Sequence, residues 1–193
     1  MEYFELPQLE VDSEANINAI NQLQEYFQPV SLESDGHQVV YEGVDEDANP
    51  DNWLYYQDRD HGADFDSHPL IEDIVDKVCT ILNLPKDKIV RRQYTQMKPG
   101  WSLNIHRDVA RQVALLVEFI DAKCSITWYD NNKKPTKTLI YGKPVVVNTK
   151  QLHSAKADKV KRYGFQIDFD YNMSIDDVYN SYKTSPMFLN QEE

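Results

Sequence analysis

Residues 89–169 contain a succession of short strand-like segments separated by turns, and this pattern restricts the fold more than any other feature of the sequence. Apolar runs at 113–117 and 145–147 are separated by turn-forming stretches around Pro135 and Gly142. Many short strands with turn signals between them are typical of an antiparallel sandwich or barrel. We therefore predict a mainly β protein with flanking helices, of the α+β class.

Helical periodicity lies on both sides of this strand-rich region. Apolar residues recur at helical spacing over 14–27 and again over 69–82, and Ser67 is predicted to cap the second helix. Further along, Ser174 with Asp177 three residues later predicts a third helix start. The tail after this third helix is expected to be frayed.

The length of 193 residues suits one domain with a sizeable core. No internal repeat, low-complexity segment or linker interrupts the sequence. We predict a single domain over 1–193, with a helical and strand flank at 1–88, a β core at 89–170, and a C-terminal helix and tail at 171–193.

Two histidines and an aspartate in the strand-rich region form a candidate metal site. Alternate side chains of a strand share a face, so His106 and Asp108 are predicted to point the same way, together with Asn104. His153 follows the strand predicted at 145–148 and supplies a second imidazole. Two histidines and one carboxylate that leave coordination positions open are the ligand set expected of a non-haem Fe(II) oxygenase.

A basic residue follows this candidate site. Arg162 opens the strand predicted at 162–169, and a guanidinium there can hold a carboxylate through two parallel hydrogen bonds. Further basic residues lie near the candidate ligands in sequence, and they are Arg107, Arg111, Lys156, Lys159 and Lys161. We therefore expect an electropositive site that suits an anionic co-substrate, although the whole chain has a formal net charge of −12.

This arrangement resembles the Fe(II)/2-oxoglutarate-dependent dioxygenase family. The match consists of the His-x-Asp pair that begins at His106, the distal His153, and Arg162 shortly after it. The lead-in at 92–100 is similar to the strand and Pro-Gly turn of prolyl-4-hydroxylase-like members, whereas the interval from His153 to Arg162 is more similar to the aspartyl/asparaginyl β-hydroxylase branch. The resemblance covers residues 89–169.

The resemblance implies a double-stranded β-helix core, the jelly-roll or cupin-like scaffold of this family. It implies that His106, Asp108 and His153 bind Fe(II), that the 2-oxo acid end of 2-oxoglutarate binds the metal, and that Arg162 binds its distal carboxylate. The implied enzyme is a hydroxylase that releases succinate and CO2.

The strand before the metal-binding segment is polar on both faces. One face carries Arg92, Tyr94 and Gln96, and we expect Tyr94 and Gln96 to contact the co-substrate or the substrate if this face lines a polar cavity. An edge strand with solvent on both sides is the alternative. Some relatives place Ser or Thr two residues after the arginine, where this chain has Gly164, and Tyr94 is a candidate to supply the missing hydroxyl.

The substrate is expected to be a peptidyl side chain, Pro or Asp/Asn. This expectation rests on aromatic residues of the N-terminal half that could line a groove, namely Trp53, Tyr55, Tyr56 and Trp101. The acidic stretch 58–66 is expected to form a loop at the rim of the site. Three alternatives remain: a hydroxylase of a free amino acid or other metabolite, a cupin-like metal-binding protein without 2-oxoglutarate chemistry, and a metal-free interaction module.

The charge balance of 20 basic against 32 acidic residues argues against a general affinity for nucleic acids or anionic membranes. Cys79 and Cys124 each lie in an apolar pattern and are expected to be free thiols of a reducing compartment. The sequence shows neither a secretory signal nor a membrane-spanning run. We therefore expect a cytoplasmic protein, with an oligomeric state that the sequence does not define.

Overall fold

The computed structural model describes the greater part of the chain: residues 1–29, 53–57, 68–100, 102–108, 111–120, 123–157 and 159–189. For residues 28, 29, 53–57 and 104 it describes the backbone alone. The stretch 58–66, Trp101 and the side chains of Trp53, Tyr55 and Tyr56, all named above as possible parts of the site, lie outside this description.

Eleven strands are present in the described part of the chain. They are β1 (Tyr3–Glu5), β2 (Gln28–Pro29), β3 (Trp53–Gln57), β4 (Ile89–Met97), β5 (Ser102–His106), β6 (Val113–Glu118), β7 (Cys124–Tyr129), β8 (Pro135–Tyr141), β9 (Val145–Asn148), β10 (His153–Lys156) and β11 (Arg162–Phe169). The helices are α1 (Ser13–Gln22), α2 (Pro69–Leu82), α3 (Ile175–Lys183) and α4 (Pro186–Leu189).

These strands form two antiparallel sheets. The larger sheet has the order β1-β9-β6-β11-β4-β3-β2, and the smaller has the order β5-β10-β7-β8. Four core strands, β4, β6, β9 and β11, belong to the larger sheet, and the other four, β5, β7, β8 and β10, form the smaller one. This two-sheet arrangement of eight strands is a double-stranded β-helix. The predicted fold class, mainly β with flanking helices, is confirmed.

The helices cover the outer face of the larger sheet. Ile20 of α1, Val78 of α2 and Val178 of α3 are fully buried in one apolar cluster with Phe165 and Ile167 of β11. Phe165, Ile167 and the other residues at alternate positions of β11 therefore face the helices, and the residues between them face the smaller sheet. This alternation gives β11 one apolar face and one polar face.

The helix predictions hold with changes at the ends. Helix α2 spans the predicted 69–82, but its N-cap is His68 and not the predicted Ser67, and its C-cap Asn83 has the left-handed conformation. Helix α1 ends earlier than expected, at Gln22, and Ser174 forms the predicted capping box with Asp177. The tail after α3 is helical over Pro186–Leu189, and residues 190–193, which were also expected to be frayed, lie outside the described part of the chain. Among the described helices, none has the length and apolarity that crossing a membrane requires.

A second apolar cluster fills one end of the space between the two sheets. Trp128 of β7 is fully buried there, and its indole N–H donates to the backbone oxygen of Asn148 at 2.9 Å. Its neighbours include Ile126, Val145 and Val147. The candidate site lies in the same inter-sheet space, so the walls of the site are continuous with the core.

Candidate metal centre

The two histidines are brought together by strand pairing. Strands β5 and β10 are antiparallel neighbours, and His106 lies directly opposite His153 in their register. Their ring centroids are 4.2 Å apart, and both side chains are buried. Directly opposed residues of an antiparallel pair have adjacent side chains, so this register alone brings the two imidazoles next to each other.

Asp108 lies next to the two histidines, but it is not positioned in the way that was predicted. Strand β5 ends at His106, so strand alternation does not position Asp108 or align it with Asn104. Instead, the backbone N–H of Asp108 donates to the Thr149 carbonyl at 3.0 Å, and its Oδ1 lies 3.4 Å from His106 Nε2. One ligand atom from each of His106, Asp108 and His153 lies within 4.8 Å of the others.

Arg111 holds the Asp108 carboxylate from the side away from the histidines. Its Nε donates to Asp108 Oδ2, and its Nη1 donates to Asp168 Oδ1 at 2.8 Å. Gln166 Nε2 donates to the same Asp168 oxygen at 2.8 Å. Because Oδ2 is bound by Arg111, Oδ1 is the atom that faces His106. The sequence indicated a basic residue near the site but did not reveal this bridging role.

His153 is oriented by a backbone carbonyl. Its Nδ1 lies 2.9 Å from the oxygen of Gln151, and an N–H donated there leaves the Nε2 lone pair for a metal ion. Burial and the neighbouring His106 lower the pKa of His153 to about 4. The imidazole is therefore neutral at neutral pH, as metal binding requires.

The Asp108 carboxyl group is ionised. Burial alone would raise its pKa, but the Arg111 guanidinium and the two histidines hold the pKa well below its usual range. The neutral His153 imidazole and the Asp108 carboxylate thus have the protonation states that a divalent cation needs, and His106 lies between them.

A small cavity of about 50 Å³ opens beside these three side chains. His106 and His153 lie on its wall, and so do Arg111 and Arg162. The remaining wall is mostly apolar, with Met97, Leu103, Leu116, Ile126, Val147 and Ala155 among the lining residues. The cavity therefore combines a potential metal site with buried cations in a largely apolar space.

Arg162 lies on the cavity wall, as predicted, but it has an acidic partner that the sequence did not reveal. Its Nε donates to Glu118 Oε2 at 2.6 Å, and its Nη2 contacts Oε1 of the same carboxylate. Its Nη1 lies 2.9 Å from the Met97 sulfur. Glu118 is the last residue of the apolar strand β6. An acidic residue at the end of an apolar run was the sequence signal that could have indicated a buried partner for Arg162.

The expected roles of Tyr94 and Gln96 need correction, because the structure does not bring them to the cavity. Tyr94 is fully buried under the helices, and its hydroxyl donates to Asn16 Oδ1 at 2.6 Å. Gln96 Nε2 donates to Gln24 Oε1 at 2.9 Å on the same face of β4. The alternate face of β4 is the one directed at the smaller sheet, and Met97 on that face lines the cavity.

The hydroxyl group near Arg162 belongs to Tyr141. Tyr141 lines the cavity, and its ring centroid is 5.9 Å from the Arg162 guanidinium carbon. Its hydroxyl interacts with the Glu118 carboxylate, and burial raises its pKa well above the ordinary value. Tyr141 thus takes the place for which Tyr94 was considered.

Gly164 is required by the packing of β11 against β6. A Cβ atom at this position would lie 2.9 Å from the Val117 carbonyl oxygen and 3.1 Å from Thr95 Oγ1. The same Cβ would be 3.5 Å from Glu118 Oε2. A serine or threonine is therefore excluded here by the neighbouring backbone, and the Glu118 carboxylate borders the space that its side chain would need.

The fold is similar to those of several solved structures. SnoK, a non-heme alpha ketoglutarate dependent carbocyclase from nogalamycin biosynthesis, has a TM-score of 0.53 and 12% identity, over 93% of this chain and 85% of that one. HygX from Streptomyces hygroscopicus, solved with nickel and 2-oxoglutarate bound, has a TM-score of 0.51 and 9% identity, over 89% and 84%. A Pseudomonas putida prolyl-4-hydroxylase has a TM-score of 0.51 and 7% identity, over 89% and 94%.

These likenesses concern the fold, because the identities are low. No protein-family model matches the chain, and no curated protein sequence matches it.

Proposed function

We propose that this protein is an Fe(II)- and 2-oxoglutarate-dependent dioxygenase that hydroxylates a C–H bond. The observation that carries the proposal is the convergence of His106, Asp108 and His153 beside a cavity that also contains the buried Arg162. The fold supports it, since HygX was solved with a metal and 2-oxoglutarate bound. Fold likeness alone would not support a function, and the side chains of the site carry the argument.

The three ligand residues fit Fe(II). Two imidazole nitrogens and one carboxylate oxygen are the donor set of non-haem Fe(II) oxygenases, which leaves positions for a co-substrate and dioxygen. Arg111 and the Gln151 carbonyl hold Asp108 and His153 in the required orientations. When bound, iron and 2-oxoglutarate would react with dioxygen: the 2-oxo acid would lose CO2 and take up one oxygen atom to become succinate, and the other oxygen atom would be left to oxidise the substrate.

Arg162 is the proposed partner of the distal carboxylate of 2-oxoglutarate. Glu118 contacts its Nε and Nη2, but the nearest partner of Nη1 is the Met97 sulfur, a weak acceptor. A carboxylate on that edge would replace the sulfur contact with charge-assisted hydrogen bonds. Tyr141 offers a hydroxyl beside the same guanidinium.

The apolar walls of the cavity limit the access of water to the space between the ligand residues and Arg162. In such a space the guanidinium binds a carboxylate more strongly than it would in bulk water. Arg162 thereby orients the co-substrate, while Arg111 keeps one oxygen of Asp108 directed at the metal position.

We propose a peptidyl side chain, Pro or Asp/Asn, as the substrate. The support is the lead-in at 92–100, which resembles that of prolyl-4-hydroxylase-like proteins, and the fold of the Pseudomonas putida prolyl-4-hydroxylase. A small-molecule substrate is the second candidate, because SnoK, a carbocyclase from nogalamycin biosynthesis, shares the fold equally well. Succinate release in the presence of candidate peptides or metabolites distinguishes the two.

The co-substrate assignment is tested by replacing Arg162. Arg162→Gln combined with Glu118→Gln removes both charges and leaves no buried carboxylate unpaired. We expect the double variant to bind Ni(II) as the wild type does and to lose 2-oxoglutarate binding, both measured by isothermal titration calorimetry. Unchanged affinity for 2-oxoglutarate would exclude the proposed role of Arg162. Metal binding with no 2-oxoglutarate binding in the wild type would favour the cupin-like alternative.

A further inference from the structure

Glu118 is a buried acid beside the proposed co-substrate site, and the proposed chemistry does not use it. It is 7% exposed and lies at the end of β6, opposite Gly164 of β11. The ionisable groups that face it are Arg162 on β11 and Tyr141 on β8, with Cys124 of β7 next to both of those. Gly164 and Thr95 complete its surroundings.

Glu118 lies behind Arg162 when viewed from the cavity. It contacts the Nε and Nη2 edge of the guanidinium, and it is absent from the residues that line the cavity. Gly164 lies next to it, since a Cβ there would be in ordinary van der Waals contact with Glu118 Oε2, at 3.5 Å. The cavity therefore presents a guanidinium whose charge is already balanced from behind.

This charge balance matters for a ligand that brings a second carboxylate. Two carboxylates that share one buried guanidinium repel each other in surroundings of low polarity, and such pairs are relieved when one of them binds a proton. A ligand whose distal end is uncharged meets no such repulsion. It would instead meet a neutral ion pair and the apolar side chains of Met97 and Leu116.

We propose that Glu118 determines which 2-oxo acids this cavity binds: it opposes a charged distal carboxylate, so that 2-oxoglutarate binds with uptake of a proton by Glu118, whereas a 2-oxo acid with an uncharged distal end binds without one. This inference rests on the proposed function. It makes Glu118 a specificity-determining residue that acts through Arg162.

The surroundings of Glu118 favour proton uptake. Burial raises the pKa of its carboxyl group, against the opposing effects of Arg162 and Tyr141. If one proton is taken up for each 2-oxoglutarate bound, the observed affinity falls by about tenfold for each pH unit above the pKa of Glu118. The affinity for an acid with an uncharged end lacks this dependence.

The wild-type protein loaded with Ni(II) allows a direct test. Calorimetric titrations with 2-oxoglutarate and with 2-oxopentanoate, which has a methyl group in place of the distal carboxylate, are run in two buffers of different ionisation enthalpy. Any proton exchange at the metal end is common to both acids. We expect 2-oxoglutarate to take up about one more proton than 2-oxopentanoate. Equal proton numbers for the two acids would overturn the proposal.

The variant Glu118→Gln keeps an acceptor for Arg162 and removes the charge. We expect it to bind 2-oxoglutarate at least about tenfold more tightly than the wild type, and 2-oxopentanoate within about twofold. The exposed Glu5→Gln is the matched control, with no expected change. An equal effect of Glu118→Gln on both acids would mean a structural role and would contradict the proposal.

The two experiments separate this inference from the proposed function. If Glu118→Gln does not fold, the titrations of the wild type with the two acids still test the role of Glu118. If the Ni(II)-loaded wild type binds neither acid, the proposed function fails, and this inference fails with it. If it binds both with the same affinity, pH dependence and proton number, only the role of Glu118 is excluded.

Discussion

At the scale of single residues, two of the candidate ligands are each held by a neighbour within the chain. The Gln151 carbonyl selects the tautomer of His153, and Arg111 binds the outer oxygen of Asp108. Arg111 is itself fixed by Asp168, which also accepts from Gln166. This second layer of contacts sets the orientations on which a facial metal site depends.

Arg111 is therefore expected to affect metal binding although it is not a ligand. Arg111→Gln removes the contact that fixes Asp108, and we expect metal affinity to fall by about 10- to 100-fold. Competition with a chelator measures this affinity. Arg107→Gln is the matched control, because Arg107 is exposed and donates to Asn131. Equal metal affinity in both variants would exclude the positioning role of Arg111.

His153 makes the stability of the metal-free protein depend on pH. Burial and His106 lower its pKa to about 4 from the ordinary value of 6.5, so the unfolded state binds more protons between these pH values. Stability from this residue is present above pH 6.5 and is lost as the pH falls towards 4. The expected contribution is about 3 kcal/mol.

The variant His153→Asn isolates this effect. Urea unfolding of both proteins in EDTA is compared between about pH 4.5 and 7, which covers most of the titration range. We expect the difference in unfolding free energy between wild type and variant to increase with pH. A difference that stays constant across the range would show that His153 does not titrate as the structure indicates.

At the scale of elements, the site depends on one strand pair and one glycine. The register of β5 and β10 places His106 opposite His153, and the close packing of β11 on β6 requires Gly164. Both features involve residues that are distant in sequence.

Gly164→Ala tests the second of these contacts. The added methyl group would lie 2.9 Å from the Val117 carbonyl oxygen, and the backbone of a central strand cannot easily move away. We expect a loss of about 1–3 kcal/mol in unfolding free energy, measured by urea denaturation. Adding Thr95→Ala to Gly164→Ala removes the other close atom, Thr95 Oγ1, and is not expected to restore the lost unfolding free energy. Full rescue by Thr95→Ala would mean that the backbone contact is unimportant.

The sequence predicts the elements better than their partners. The strands Val145–Asn148 and Arg162–Phe169 have the predicted bounds, because local alternation and turns mark them. Strand β4 is different: both of its faces carry polar residues, so the alternation did not indicate which face is directed at the cavity. Tyr94 was one candidate to line the cavity, with an edge strand as the alternative, whereas in the structure its hydroxyl donates to Asn16 of α1, a contact that no local pattern indicates.

The site itself was predictable in its residue types but not in its geometry. His106, Asp108 and His153 were singled out from spacing, and the structure brings them together. The reason given for Asp108 was wrong, because β5 ends before it and a hydrogen bond to Thr149 positions it. Arg111, Glu118 and Tyr141 were missed as parts of the site, since their roles arise from pairing between strands.

At the scale of the whole molecule, the site lies between the two sheets, and helices cover the outer face of the larger sheet. The two cations on the cavity wall are each balanced by acids, Arg111 by Asp108 and Asp168, and Arg162 by Glu118. The described residues therefore do not form the electropositive site that was expected from the sequence. An anionic co-substrate must be held by the metal and by directed hydrogen bonds, and net local charge contributes little to its binding.

The central claim is that His106, Asp108, His153 and Arg162 form one site for Fe(II) and 2-oxoglutarate. The measurement that tests it most directly is an anaerobic titration of the metal-free protein with Fe(II) and then with 2-oxoglutarate, followed by visible absorption. We expect a charge-transfer band that requires both additions and is absent in Asp108→Asn, with the exposed Asp176→Asn as the control that retains it. Metal binding without a band, or no metal binding at all, would contradict the account.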